Sequence, residues 1–183
     1  HRLQSMGVIE PVSHSKWASP IVVIKKKDTG KIRACGDFKV SGLNNALLDE
    51  FHPLPTSEDI FASLKGSVFS QIDLKDAYLQ VELDDESQKL VVINTHKGFF
   101  KYKRMAFGLK TAPAIFQKIV DKMISGLPGV AAYLDDVIVS ANSHEEHEKT
   151  LRKLFQRIQE YGFKVSPAKC SFAKPQISYL GFV

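Results

Sequence analysis

Apolar and polar positions along this chain follow two rhythms, one of period two and one near the helical repeat. Residues 68–74, Val68-Phe69-Ser70-Gln71-Ile72-Asp73-Leu74, read as a strand. Its alternation sets Ile72 and Leu74 on one face and Phe69, Gln71 and Asp73 on the other. Residues 131–139 form a second, almost continuously apolar, β-prone run. Residues 21–27 and 31–35 predict a hairpin closed by Asp28-Thr29-Gly30. Pro113 suits the first turn of a helix reaching about Ser125, with Ile115, Phe116, Ile119, Val120 and Met123 on one face. Ser143 with Glu146 gives a capping-box signature for a helix to Tyr161, stopped by Gly162. Leu151, Leu154, Phe155 and Ile158 form its apolar stripe. Thr56 or Ser57 caps a shorter helix through Leu64, ended by Lys65-Gly66, and residues 41–55, rich in Gly, Asn and Pro, predict a surface connection. The order β-β-α-β-α-β-β-α-β predicts an α+β fold with a mainly antiparallel sheet.

Two of these apolar strands carry acid where apolar residues would cost less. Asp73 lies between Ile72 and Leu74, and Asp135-Asp136 interrupts the run Ala131-Ala132-Tyr133-Leu134-Asp135-Asp136-Val137-Ile138-Val139. Desolvating one carboxylate costs several kcal/mol, and two side by side also repel. Either the pair is a hairpin tip exposed to water, or it binds a cation. Hard cations such as Mg²⁺ take carboxylate and phosphate oxygens. If the two strands are neighbours, Asp73 and the Asp135-Asp136 pair can hold two Mg²⁺ ions for in-line phosphoryl transfer.

Tyr133-Leu134-Asp135-Asp136 resembles the Tyr-x-Asp-Asp box of reverse transcriptases, and Asp73-Leu74-Lys75-Asp76-Ala77-Tyr78 resembles that family's first catalytic strand. Phe107-Gly108-Leu109-Lys110-Thr111-Ala112-Pro113-Ala114-Ile115-Phe116-Gln117 is similar to the block before the palm helix. Ser19-Pro20-Ile21-Val22-Val23-Ile24-Lys25-Lys26-Lys27-Asp28, then Arg33 and Asp37-Phe38-Lys39, resemble the fingers hairpin and its sequel. His52-Pro53-Leu54-Pro55 and Tyr179-Leu180-Gly181-Phe182 fit as well, with wording nearest LTR retrotransposons of the gypsy type. The blocks follow the family's order over essentially the whole chain.

The resemblance implies the fingers and palm of a right-hand polymerase, with a mainly antiparallel palm sheet backed by helices. It implies fingers over residues 1–52 and 82–111 and palm over 53–81 and 112–183. The implied activity is RNA-directed DNA synthesis by two-metal chemistry, with Asp73, Asp135 and Asp136 catalytic and Asp73, Leu74, Asp135 and Asp136 at two Mg²⁺ ions, Mn²⁺ being an alternative. Lys26 and Arg33 match residues that hold the incoming nucleotide's phosphates. Tyr78 matches an aromatic gate against a 2′-hydroxyl, and Phe107 a neighbour of the sugar. Leu180, Gly181 and Phe182 match the hairpin that positions the primer end. Implied partners are a primed RNA or DNA template, dNTP and the remaining domains of a Pol polyprotein.

Composition agrees with this reading and narrows it little. The 183 residues include 44% hydrophobic and 25% charged residues, ordinary for a globular protein that can bury a core. A net charge of +5 and a pI near 9.1 suit a polyanionic partner. No run approaches a membrane span of roughly eighteen apolar residues. Two cysteines, Cys35 and Cys170, in no metal spacing, predict reduced thiols and an intracellular setting, cytoplasmic or nuclear. Opening on His1 and closing within an apolar run, the chain reads as a piece of something longer, without thumb, connection or ribonuclease H.

Other features carry plainer expectations. Lys25, Lys26, Lys27, Lys31 and Arg33 also suit a solvated edge hairpin. His144 and His147 are expected on the exposed side of the second long helix, Cys170 and Trp17 as packing residues. Ala106 stands where the family has Pro before Phe-Gly, and Ser41-Gly42 lengthens the fingers segment. A catalytically inactive or domesticated copy acting as a nucleic-acid-binding module is the alternative function; another two-metal palm enzyme, such as a nucleotide cyclase, fits the boxes less well.

Overall fold

The computed structural model describes residues 2–25, 30 and 32–182, Arg33 by its backbone alone. The chain forms two compact units, His1–Glu50 with Tyr78–Ala112 and Phe51–Ala77 with Pro113–Val183.

The first unit holds a five-stranded sheet in the order β1 (Ile9–Val12), β6 (Gly98–Tyr102), β5 (Val92–Thr95), β2 (Ser19–Lys25) and β3 (Ile32–Gly36). The β2–β3 pair is the hairpin expected from sequence, in the register Ile21↔Gly36 to Lys25↔Ile32. β1, β5 and β6 lie outside the expected element order, and β2 runs parallel to β5 through Ser19↔Ile93 and Pro20↔Asn94. Phe38 closes the core of this unit at 1% exposure, its ring against the backbone of Gly36. A Cβ on Gly36 would stand 2.4 Å from that ring, and one on Gly108, at φ +99°, 2.6 Å from the Gly36 carbonyl oxygen. The unit also carries the short helices α1 (Arg2–Ser5), α2 (Leu43–Ala46) and α4 (Asp85–Leu90), of which α2 lies in the expected surface connection after residue 41 and buries Leu43. Asn44 then donates to the Gly108 carbonyl at 2.9 Å and accepts from the Lys110 N–H at 3.0 Å.

The second unit is an antiparallel sheet in the order β7 (Val130–Tyr133), β8 (Asp136–Ala141), β4 (Val68–Asp73) and β9 (Ser171–Lys174). Its helices are α3 (Ser57–Ser63), α5 (Ala112–Ile124) and α6 (His144–Glu160). Ile72, Val137 and Val139 in the strands, Phe116, Val120 and Met123 on α5, and Leu154 on α6 are all fully buried. The middle of each helix stripe thus lies inside, while Ile115, Ile119, Leu151 and Phe155 at its margins are half-buried. Thr56 caps α3 in a full capping box with Asp59. Ser143 caps α6 by accepting from the Glu146 N–H, but the Glu146 carboxylate accepts from the Asn142 N–H at 3.1 Å, one residue before the cap. Two expectations are corrected here. His147 is 2% exposed, not a surface residue, because it continues the buried row of Thr150, Leu154 and Ile158 by one turn. Its Nε2 finds no hydrogen-bond partner among the described residues, and burial lowers its pKa. Cys170 is half-buried and not a core residue, its thiol donating to the Ser166 carbonyl at 3.3 Å.

Candidate catalytic site

In the second unit β4 and β8 pair from Val68↔Ala141 to Asp73↔Asp136, so the two carboxylates are direct cross-strand partners. Gln71, two residues before Asp73, shares their face and donates to Asp136 Oδ1 at 3.3 Å. Asp135 falls in the two-residue loop joining β7 to β8 and Asp136 opens β8. The acidic pair is thus a hairpin tip, half-buried, with one member on the sheet. Asp135 is held by its backbone, its carbonyl accepting from the Leu74 N–H at 2.8 Å.

Asp73 is 8% exposed and would be costly to leave unpaired. Lys169 supplies the countercharge, Nζ to Oδ2 at 2.8 Å. That hydrogen bond is the main reason the Lys169 pKa is raised, with the charges of Asp73, Asp135 and Asp136 adding to it. Asp136 is pushed above the usual carboxylate range, chiefly by burial and then by the charges of Asp135 and Asp73, against the opposing Gln71 hydrogen bond and Lys169 charge.

The loop that carries Asp135 is strained and externally braced. Leu134 has φ +53°, a conformation that non-glycine residues seldom adopt. Its N–H donates to Gln117 Oε1 at 2.7 Å, and Gln117 Nε2 donates both to the Ala132 carbonyl at 3.0 Å and to Asp121 Oδ1 at 2.8 Å. Gln117 is fully buried on α5, and the other oxygen of Asp121 meets His52 Nε2 at 2.7 Å. On the other side Tyr179 donates its hydroxyl to the Asp136 carbonyl at 2.8 Å. Tyr179 and Phe182 exchange two backbone hydrogen bonds around Leu180 and Gly181, both at positive φ, which makes Leu180-Gly181 a tight turn tied to the acidic hairpin.

The donor set suits a hard divalent cation. Adjacent carboxylates with one perturbed pKa and a lysine ammonium already on an oxygen need positive charge. Among the described residues no group of three or more His, Cys, Asp and Glu side chains is placed to hold a metal ion by itself. An open carboxylate pair is how Mg²⁺ is usually bound, with waters and substrate phosphates completing its shell.

Of the remaining candidates, Tyr78 and Phe107 meet in the first unit with ring centroids 5.1 Å apart. Leu74 is fully buried. Lys26 lies outside the described residues, as does the side chain of Arg33. Sequence reasoning missed Lys169 and Gln71 as partners of the carboxylates, and Tyr179 as the partner of the Asp136 backbone carbonyl. Gln117 ends the block of residues 107–117, but nothing local pointed it at Leu134.

The perturbed carboxylate has a consequence for stability. Unfolded, Asp136 titrates near its ordinary 3.8; folded, it titrates higher. Between those values the folded chain keeps a proton that the unfolded chain has lost, so stability falls as pH rises through the interval. Asp136→Asn is therefore expected to raise the metal-free Tm by a few degrees at pH 7 and hardly at all at pH 3. Melting curves in chelator at both pH values measure this; an unchanged or lower Tm at pH 7 contradicts it.

Residues 24–183 match the family model described as reverse transcriptase (RNA-dependent DNA polymerase). The chain is 73% identical over 183 residues to an uncharacterized Caenorhabditis elegans protein, covering 100% of this chain and 14% of that one. It is 34% identical to the enzymatic polyprotein of figwort mosaic virus, covering 98% of this chain and 27% of the polyprotein. Its identity to the retrovirus-related Pol polyprotein from transposon 412 of Drosophila melanogaster is 35%, over 95% of this chain and 14% of the other. The chain thus spans between 14% and 27% of the length of these curated relatives. Among solved structures, the foamy viral protease-reverse transcriptase in complex with double-stranded DNA superposes with a TM-score of 0.91 at 26% identity, covering 98% of this chain and 31% of that one.

Proposed function

The chain belongs to the reverse transcriptase family, and from that premise we propose that it is the fingers and palm of an RNA-directed DNA polymerase of a gypsy-type retroelement. It extends a primer 3′-hydroxyl with deoxynucleotides on an RNA or DNA template, as part of a longer Pol polyprotein. The observation that carries this reading is the Asp73–Asp136 cross-strand pair, with Asp135 beside it on a braced turn. The unit containing this pair is the palm, the other the fingers.

Asp73, Asp135 and Asp136, with Leu74, would hold two Mg²⁺ ions, or Mn²⁺. Such ions supply Lewis acidity at the attacking and leaving oxygens of phosphoryl transfer. The chain's own part is positional. The β4–β8 register fixes the spacing of Asp73 and Asp136, Gln117 fixes the turn that presents Asp135, and Tyr179 joins the Leu180-Gly181-Phe182 turn, the primer-positioning element, to the Asp136 backbone. Lys26 and Arg33 contact the triphosphate, for which a lysine point charge and an arginine fork are suited. Tyr78, stiffened by its ring contact with Phe107, excludes a 2′-hydroxyl. A nucleic-acid partner is consistent with the net charge of +5 and with the double-stranded DNA bound by the foamy viral relative.

Primer extension tests the proposal. The chain, incubated with primed RNA or DNA template, dNTPs and Mg²⁺, is expected to lengthen the primer, and Asp73→Asn is expected to stop it. Tight primer-template binding without extension by the unsubstituted chain would instead support a binding module.

A further inference from the structure

The lysine at the carboxylate site is seated by backbone alone. Ser166 N–H donates to the Asp73 carbonyl at 2.8 Å, Lys75 N–H donates to the Lys164 carbonyl at 2.9 Å, and Leu74 bridges Val165 between them. Residues 164–166 are thereby stitched antiparallel to the end of β4. A 3-10 turn, Pro167–Lys169, follows, with Pro in its first turn and the Lys169 N–H on the Ser166 carbonyl at 2.9 Å. None of these bonds uses the lysine side chain. Its ammonium is nevertheless delivered to Asp73 Oδ2 across 96 residues of sequence.

The two partners of this ion pair are unequal. The Lys169 side chain is 61% exposed, whereas that of Asp73 is 12% exposed. Water can solvate the ammonium if it swings away, so its release costs little. The carboxylate has no such recourse and needs a cation beside it. A divalent ion on the same oxygen and an ammonium within hydrogen-bond distance of it repel at close range. The arrangement therefore has two exclusive states.

We propose that Lys169 is a built-in counter-ion that neutralises Asp73 in the absence of metal and, by competing for the same carboxylate oxygen, sets the concentration at which the site takes up a divalent cation. Lys169 must let go of Asp73 before that oxygen can become a ligand. The proposal rests on the reading of Asp73 as a metal ligand. It makes Lys169 a residue that weakens metal binding, the opposite of what a merely supportive contact would do.

Mn²⁺ is the probe, its free concentration followed by electron paramagnetic resonance while the chain is titrated at fixed ionic strength. Lys169→Met is expected to bind Mn²⁺ about tenfold more tightly, equivalent to ~1.4 kcal/mol. Lys169→Arg, which retains the charge, is expected to stay near the unsubstituted chain. Asp73→Asn is expected to lose most of the affinity. Thermal melts of each variant report folding, and a gain in affinity cannot arise from a damaged fold. Unchanged or weaker Mn²⁺ binding in Lys169→Met, with Asp73→Asn weakened, overturns the counter-ion proposal and leaves the ligand reading standing. Undiminished binding in Asp73→Asn overturns the ligand reading, and the proposal falls with it.

Discussion

Asp135→Asn is expected to abolish primer extension, lowering kcat by about 10³-fold, on the scale of removing one preorganised electrostatic group. The side chain keeps its shape and loses its charge. The backbone that places it is untouched, because Leu74 bonds to the Asp135 carbonyl and Gln117 to the preceding N–H. Folding should not suffer. The Asp135 charge is one of the causes that raise the Asp136 pKa, so its removal relieves repulsion in the metal-free chain. Single-turnover extension beside a thermal melt measures both effects. A folded Asp135→Asn chain that still polymerises would remove Asp135 from the catalytic set.

Gln117→Leu carries the second large effect, and it acts at a distance from the chemistry. The substitution nearly preserves volume but leaves the Leu134 N–H without its acceptor and the Ala132 carbonyl without that donor. Each buried polar group left unpaired costs about 1–3 kcal/mol. Leu134 also loses the bond that holds it at φ +53°, so the turn can relax toward an ordinary conformation. A shift of about 1 Å in the acidic pair is enough to lower turnover by roughly 10²-fold. Urea denaturation should show a loss of about 2–4 kcal/mol. Asp121→Asn, which leaves the Gln117–Leu134 bond in place, should be milder in both assays. Full turnover by a destabilised Gln117→Leu chain would reduce Gln117 to a packing residue.

The features legible in the sequence are those whose cause is local. The stripe of Phe116, Val120 and Met123 specified α5, and Thr56, one of the two expected caps, starts α3. Alternation put Gln71 and Asp73 on one face of β4. Acid inside apolar runs marked Asp73 and Asp135-Asp136 because a desolvated carboxylate needs a reason to be there. The readings that failed or were missing involve pairing between distant segments. β1 and β5 have four residues each, and β6 five, too short for a period to stand out, and exist as strands because they pair with one another and with β2. His147 looked like a surface residue beside His144, yet the phase of α6 against the sheet carried it inside.

The sequence by itself determined the α+β class, the long helices, the β2–β3 hairpin and the acids set within apolar, β-prone runs, since periodicity, caps and desolvation cost act on neighbouring residues. The tertiary structure alone decided that Asp73 faces Asp136, that Lys169 reaches Asp73, and that Gln117 and Tyr179 brace the acidic turn. Those contacts are long-range hydrogen bonds and ion pairs between residues 17 to 96 positions apart. A single polar side chain carries no periodic signal, so its partner is fixed only when strand register and helix packing bring the two together.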